Sequence, residues 1–242
     1  MARLADLYLV GIGIRGLEQI SKEAKSCLTS CRKIFHLTDQ HRRLATINPH
    51  VIDLGPLYWT NEGQRDVYDR LAALIMGEVE QGPGVASVIY GHPLFFDDVH
   101  VDLINRSKRR GLRCVVLPGI SSLDTLSIDL NIDYGEGLQI HEASDLVENE
   151  FSLNPNIHTL IFQIAEFNSY VTSDNLSTAV GRFKPMERHL RKYYPADQPI
   201  TIAYSDDGDG SGPFLLKSRL RRLDSHRRRI YSGTTLYIPP VE

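Results

Sequence analysis

Short apolar runs alternate with longer stretches in which apolar residues recur every three or four positions, a pattern that predicts strands alternating with helices through the first half of the chain. "DLYLVG" (Asp6 to Gly11) reads as a strand, Leu17 to Ser30 as a helix, and "KIFHL" and "VIDL" as short strands. Arg65 to Glu80 follows as a helix with Tyr68, Leu71, Leu74, Ile75 and Val79 on one face. The strand "VASVIY", a helix from Val99 to Arg110, the strand "RCVVL" and a helix from Ser121 to about Leu130 complete this half. Such alternation implies a mostly parallel sheet covered by helices. Around Ile132 to Gly137, "IDYGEG" has the composition of a linker. Beyond it lie five strand candidates, "LQIHEA", "HTLIFQIA", "PITIAY", "GPFLLK" and "TTLYIPP", and one clear helix, Met186 to Tyr194. The expected architecture is therefore α/β in two domains, residues 1–133 and a smaller mixed-sheet domain at 134–242.

Composition narrows the function classes. With 42% hydrophobic and 24% charged residues over 242 positions, the chain can bury a core. No run of about 18 apolar residues occurs and the N-terminal apolar stretch is short, so neither a membrane span nor a signal peptide is expected, and the location expected is cytoplasmic. A net charge of −3 gives no reason to expect nucleic-acid binding. One local exception is Lys217 to Arg229, "KSRLRRLDSHRRR", either a solvated face or a docking patch for an acidic peptide or anionic substrate. Cys27, Cys31 and Cys114 lack the companion ligands of a zinc site and read as reduced thiols, so no metal is expected.

Two stretches invite chemistry. "VGIGIRG" sets Gly11, Gly13 and Gly16 between a strand and a helix, as in a dinucleotide fingerprint. The acidic residue that would hold a ribose is represented only by Asp39, just past the second strand, and a tight glycine turn explains the spacing equally well. "VASVIYGHPLF" runs a buried strand straight into Tyr90-Gly91-His92-Pro93, where a sheet's open end exposes whatever follows.

Taken in order, "LYLVGIGIRG", "YGHPLFF" and "LPGISSLDTLSIDLNID" resemble the tetrapyrrole (corrin and porphyrin) methylase superfamily. That family usually has Gly-Asp-Pro where this chain has Gly91-His92-Pro93. With "HEASDL", "LIFQIA" and "LYIPP", the set is most similar to the borosin-type peptide backbone α-N-methyltransferases, which share the fold. The resemblance implies S-adenosylmethionine (SAM) in a cleft between two domains, with contacts from Tyr90, Gly91, His92, Phe95, Ser121, Ser122 and Gln163. Ala203, Tyr204, Thr234 and Thr235 are further candidates. It also implies a homodimer, for which Asn48 to Gln64 is the expected clasp.

Methylating a backbone amide is difficult because the nitrogen lone pair is delocalised into the carbonyl. A site for it needs a group to share the N–H proton and a donor to the oxygen, roles that suit Tyr and Arg. The resemblance assigns Arg65, Tyr68 and Tyr90 to a catalytic cluster, with Tyr58 as a fourth member. Each has an ordinary alternative: Arg65 as a solvated helix residue, Tyr68 as core, Tyr90 as a strand-end packing group, His92 as a hydrogen-bonding turn residue. Leu94 stands where those enzymes commonly have Gly. Because the sequence stops two residues past "YIPP", the precursor peptide is expected to arrive in trans. Two other readings stay open: a tetrapyrrole C-methyltransferase of cobalamin or sirohaem synthesis, and a silent scaffold subunit binding SAM or a peptide.

Overall fold

The computed structural model describes residues 4–173 and 176–241. By internal contacts it divides into two compact units, Met1–Thr125 with Val171–Ser173, and Leu126–Tyr170 with Asp174–Glu242.

The first unit holds strands β1 (Leu7–Gly11), β2 (Lys33–Leu37), β3 (Val51–Asp53), β4 (Val85–Ile89) and β5 (Cys114–Leu117), in the order β3-β2-β4-β1-β5. Every pairing is parallel, as the alternating pattern predicts. Its helices are α1 (Lys22–Ser30), α2 (His41–Ile47), α3 (Gly55–Tyr58), α4 (Gln64–Val79) and α5 (Asp98–Arg109), and α6 (Ser122–Leu130) runs across the division. One sheet face buries Leu7, Leu9 and Phe35 against Leu71 and Ile75 of α4; the other buries Val10, Ile34 and Val88 against Ala24 and Leu28 of α1. Sandwiched this way, β1 and β4 are mostly apolar on both faces, Ser87 of β4 being the buried polar exception.

Some boundaries differ from expectation for local reasons. The helix expected from Leu17 begins at Lys22, because the Ser21 hydroxyl accepts the Ala24 N–H at 3.0 Å and caps it there; Gly16–Glu18 forms a separate 3₁₀ turn. Helices α2 and α3 were not expected. α2 buries only Leu44, too few apolar positions to show a period, and α3 is a single turn started by Pro56. The strand "VASVIY" stops at Ile89, leaving Tyr90 outside the ladder.

The second unit carries β6 (Leu138–Glu142), β7 (His158–Phe162), β8 (Pro199–Tyr204), β9 (Phe214–Arg219) and β10 (Thr235–Ile238), ordered β6-β7-β10-β8-β9. β6 and β7 are parallel and the other pairs antiparallel, so the sheet is mixed, as expected. Its core gathers Phe167, Phe183, Met186, Leu190, Ile200 and Leu236. Two short helices pack here. α7 (Ala143–Glu148) begins inside "HEASDL" and was not expected, and α8 (Lys184–Leu190) starts two residues before the predicted Met186, where Pro185 fits a first turn, and ends at Leu190 rather than Tyr194. The basic stretch is mostly 3₁₀ turns, Leu220–Arg229, held by burial of Leu220 and Leu223 and by the Asp224 carboxylate, which accepts N–H bonds from Gly181 and Phe183 at 2.9 Å.

Candidate functional site

Parallel pairing brings the carboxyl ends of β1, β4 and β5 to one edge of the first sheet, where backbone groups and loops lie open. Gly13 and Gly91 exchange N–H···O bonds of 3.2 and 3.1 Å, tying the loops after β1 and β4 together. Glycine is required for this. A Cβ on Gly11 would stand 2.7 Å from the Gly119 nitrogen and 2.8 Å from Pro93 Cδ, and one on Gly119 would stand 2.8 Å from the Gly13 nitrogen. Gly11 and Gly13 of the fingerprint-like set thus serve contact between three loops, whereas Gly16 packs against the Gln40 side chain. Gly91 differs: its φ of 72° would strain any other residue, while the nearest atom to an added Cβ is Ile14 Cδ1 at 3.5 Å, so its backbone has space beside it. Gly119 was not singled out from sequence; its place in "LPGI" at the end of a strand was the available sign.

Around this edge, Tyr90 is 41% exposed. His92 is half-buried and its Nδ1 accepts the Leu94 N–H at 3.1 Å, the turn-bonding role anticipated for it. Phe95 stacks edge-on against Phe96 at 4.8 Å. Ser121 is buried at the head of α6, its N–H and hydroxyl both donating to Asp124 Oδ2, at 2.7 and 2.8 Å; Ser122 follows as the first residue of α6, its carbonyl accepting from the Thr125 hydroxyl.

Two of the proposed catalytic phenols meet. Tyr58 and Tyr68 stack with ring centroids 6.0 Å apart and hydroxyls 3.4 Å apart, and Gln64 Nε2 donates to Tyr68 Oη at 2.6 Å. Burial pushes the Tyr68 pKa up, and Asp97 and Asp98 push it further, against hydrogen bonds from Tyr58 and Gln64 that pull it down. Tyr68 therefore stays a neutral phenol, suited to donating a hydrogen bond rather than accepting a proton as a phenolate. Arg65 is not brought into this group. It is exposed in the first turn of α4 and pairs with no described residue. Gln64 was missed, although its i, i+4 relation to Tyr68 was visible.

Behind the β4 loop lies a buried polar group that sequence reasoning also missed. His100 on α5 has Nε2 2.8 Å from Ser87 Oγ and Nδ1 3.2 Å from the Pro93 carbonyl oxygen. Asp97 caps α5 through Oδ1, and its Oδ2 lies 3.1 Å from His100 Nδ1 without a hydrogen bond. Burial lowers the His100 pKa more than Asp97 raises it, so the ring is neutral, with Nδ1–H on Pro93 and Nε2 accepting from Ser87. The set has the form of a Ser-His-Asp triad, but Ser87 is 3% exposed in β4, between β1 and β2, where no substrate reaches it. Its effect is to hold the carbonyl of Pro93 and with it the Gly91-His92-Pro93 turn. "FFDDVH" carried only the capping sign, Asp followed three residues later by a helical N–H.

In the second unit, the register gathers the remaining candidates at one sheet end. Ala203 pairs with Thr235, Tyr204 ends β8, and Gln163 directly follows β7. Gln163 is held at φ 56°, a strained conformation for a side-chain-bearing residue, of the kind that concentrates at functional sites. Thr234 is fully buried and donates to the Tyr231 carbonyl at 2.7 Å; Thr235 is 2% exposed. Tyr204 donates to Asp207 at 3.0 Å. Among the described residues Asp206 and Asp207, partly buried, and the exposed Asp209 form an acidic group close enough to share an ion, which was not anticipated and is bound into its own loop turns. Cys27 and Cys31 are free thiols with sulfurs 3.9 Å apart. No helix among the described residues is long and apolar enough to cross a membrane.

The model of the Tetrapyrrole (Corrin/Porphyrin) Methylases matches residues 6–205. Among curated proteins, the chain is 27% identical over 254 residues to the methyltransferase/ribosomally synthesized cyclic peptide lentinulin A precursor of Lentinula edodes. It is 28% identical over 255 residues to the corresponding omphalotin A precursor of Omphalotus olearius. Each match takes in 98% of this chain and 58% of the relative, so the chain spans little more than half their length. Among solved structures, uroporphyrin-III C-methyltransferase of Thermus thermophilus complexed with S-adenosylhomocysteine superposes with a TM-score of 0.66 at 17% identity, covering 96% of both chains. A cobalt precorrin-4 methyltransferase does so with a TM-score of 0.66 at 12% identity, covering 96% of this chain and 94% of that one. At these identities the structural likeness establishes the fold.

Proposed function

The chain belongs to the tetrapyrrole (corrin/porphyrin) methylase family, and on that premise we propose that it is a SAM-dependent methyltransferase acting on backbone amide nitrogens of a precursor peptide. The observation that carries the reading is the glycine-lined edge at the ends of β1, β4 and β5, with the stacked Tyr58–Tyr68 pair on α3 and α4 of the same unit. Relatives named as methyltransferase and cyclic-peptide precursor in one chain support a peptide acceptor. The residues at this edge fit the cofactor: Gly91 keeps backbone open without a side chain, the nearest atom to an added Cβ lying at 3.5 Å.

When bound, SAM supplies an electrophilic methyl group. This chain's residues would do the rest. The amide nitrogen gains nucleophilicity only as its proton leaves and charge moves to the carbonyl oxygen. Tyr68, kept protonated by burial, donates to that oxygen; Tyr90, exposed at the strand end, takes a share of the N–H proton; and Arg65, uncommitted among the described residues, closes on the peptide as a second donor. Gly91, His92, Phe95, Ser121, Ser122, Gln163, Ala203, Tyr204, Thr234 and Thr235 are proposed to hold the cofactor. Titration calorimetry with SAM and S-adenosylhomocysteine, followed by mass spectrometry of candidate precursor peptides mixed with protein and SAM, tests it. Micromolar binding and 14-dalton additions localised to peptide-bond nitrogens are expected. No binding at high micromolar ligand, or methyl groups found on side chains or on a tetrapyrrole instead, would overturn it.

A further inference from the structure

We propose that the free edge of β9 is a docking strand for an extended acidic peptide segment, which adds to the second sheet and sets its carboxylates against Lys217, Arg219 and Arg222. The proposal deepens the peptide-acceptor reading and rests on it: the segment belongs to the acceptor chain, outside the residues that are methylated.

Among the described residues β9 is the last strand of its sheet, paired only with β8. The hydrogen bond from Leu220 N to the Gln198 carbonyl, 3.0 Å, fixes the phase of the ladder. With that phase, Phe214, Leu216 and Ser218 spend their backbone groups on β8, while those of Leu215, Lys217 and Arg219 point to the open edge. Leu215, Lys217 and Arg219 also line a cleft of about 610 Å³, together with Arg222 and His226 of the 3₁₀ segment and Tyr237 of β10. One surface thus offers backbone donors and acceptors in strand register, apolar side chains and cations.

The cations are uncommitted. Lys217 and Arg222 are exposed and pair with no described carboxylate, and Arg219 donates only to the Asp197 carbonyl, at 2.9 Å. The neighbouring Arg221 takes the Asp197 carboxylate, at 3.0 Å. Burial of Leu220, Leu223 and Asp224 fixes the inner side of the segment, so Arg222 is presented from a rigid support. Asp129 contributes a buried Oδ2 that lacks a donor among the described residues, an acceptor left for an incoming N–H. Lysines on an edge strand also deter pairing between copies of a protein. The two effects are compatible: like edges repel, while an extended partner of opposite charge gains both the ladder and the ion pairs.

The test uses three fluorescent ten-residue peptides without SAM: one alternating Glu with Val or Thr, the same sequence with Gln for Glu, and the Glu peptide N-methylated at its four central residues. Fluorescence anisotropy should show saturable binding of the first and at least ten-fold weaker binding of the other two. The Lys217→Glu/Arg222→Glu protein should lose at least ten-fold for the acidic peptide while its thermal melt and SAM affinity are unchanged. Equal binding of the N-methylated peptide would overturn strand addition, equal binding of the Gln peptide would overturn the charge complement, and no binding at millimolar peptide would overturn both. Acidic-peptide binding by a protein that does not bind SAM would tell against the methyltransferase reading and leave the docking strand standing.

Discussion

Tyr68 and Arg65 sit three residues apart on one helix in opposite surroundings, and that contrast decides how each is tested. The Tyr68 hydroxyl is held by Gln64 and Tyr58 in a desolvated setting, so Tyr68→Phe removes a donor and leaves the ring packing. Loss of one positioned donor to a developing oxyanion costs about 10² to 10³ in rate. Tyr68→Phe should slow single-turnover methyl transfer on that scale with SAM affinity unchanged, and a full-rate, well-folded variant would leave Tyr68 as a packing group. Arg65 and Tyr90 are exposed, so Arg65→Lys and Tyr90→Phe cost little stability, and any fall in transfer of about 10² read by mass spectrometry reports chemistry. Lysine cannot replace the planar fork of Arg65. Gly91→Ala acts through strain instead: at φ 72° it should cost about 1 to 2 kcal/mol in denaturant unfolding and distort the turn.

At the scale of elements, the junction of β4 and α5 couples a buried histidine to the Gly91-His92-Pro93 turn. Burial sets the folded pKa of His100 below its ordinary 6.5, so between those values the unfolded chain binds a proton that the folded chain does not. Stability from this residue is therefore complete above about pH 6.5 and is lost as pH falls from there toward the lowered folded value. His36, buried and also lowered, acts with the same sign, so the comparison must be made between proteins. In melts from pH 7.5 to 5, His100→Leu should show lower stability at pH 7.5, because Ser87 and the Pro93 carbonyl lose their partner, and a smaller decline on acidification. An unchanged acid slope would place the titration elsewhere. This junction also shows why legibility stopped where it did. Strands buried on both faces announce themselves as apolar runs, and Gly-Pro punctuation marks the loops at their ends, so β1, β4 and the candidate loops were readable; β5, a half-buried edge strand, was readable from its short run of β-branched residues. A buried His100 and an exposed histidine look alike in a sequence, because partners such as Ser87 are supplied by the sheet. α2, α3 and α7 were hidden by their brevity, each burying two residues or fewer.

For the whole molecule, the proposed dimer follows from what the first unit leaves uncovered. The expected clasp contains β3 and α3 and then turns through Asn61, Glu62 and Gly63, which pair with residues 171–172: Asn61 N donates to the Thr172 carbonyl at 2.9 Å, and Thr172 N to the Glu62 carbonyl at 3.1 Å. Beside this short ladder Leu57, Trp59 and Val171 are 38%, 47% and 45% exposed. Large apolar side chains exposed on α3, on the turn after it and at Val171 cost solvation unless covered, and a second copy of the same segment would cover them symmetrically. Light scattering should give twice the 27.3 kDa chain mass at micromolar concentration. Trp59→Glu with Val171→Glu buries unpaired charge in such an interface and should shift the mass to the monomer with the far-UV spectrum retained. A monomer in the unsubstituted protein, or a dimer indifferent to both glutamates, would remove this segment from the assembly and leave its aromatic residues to be explained by the peptide instead.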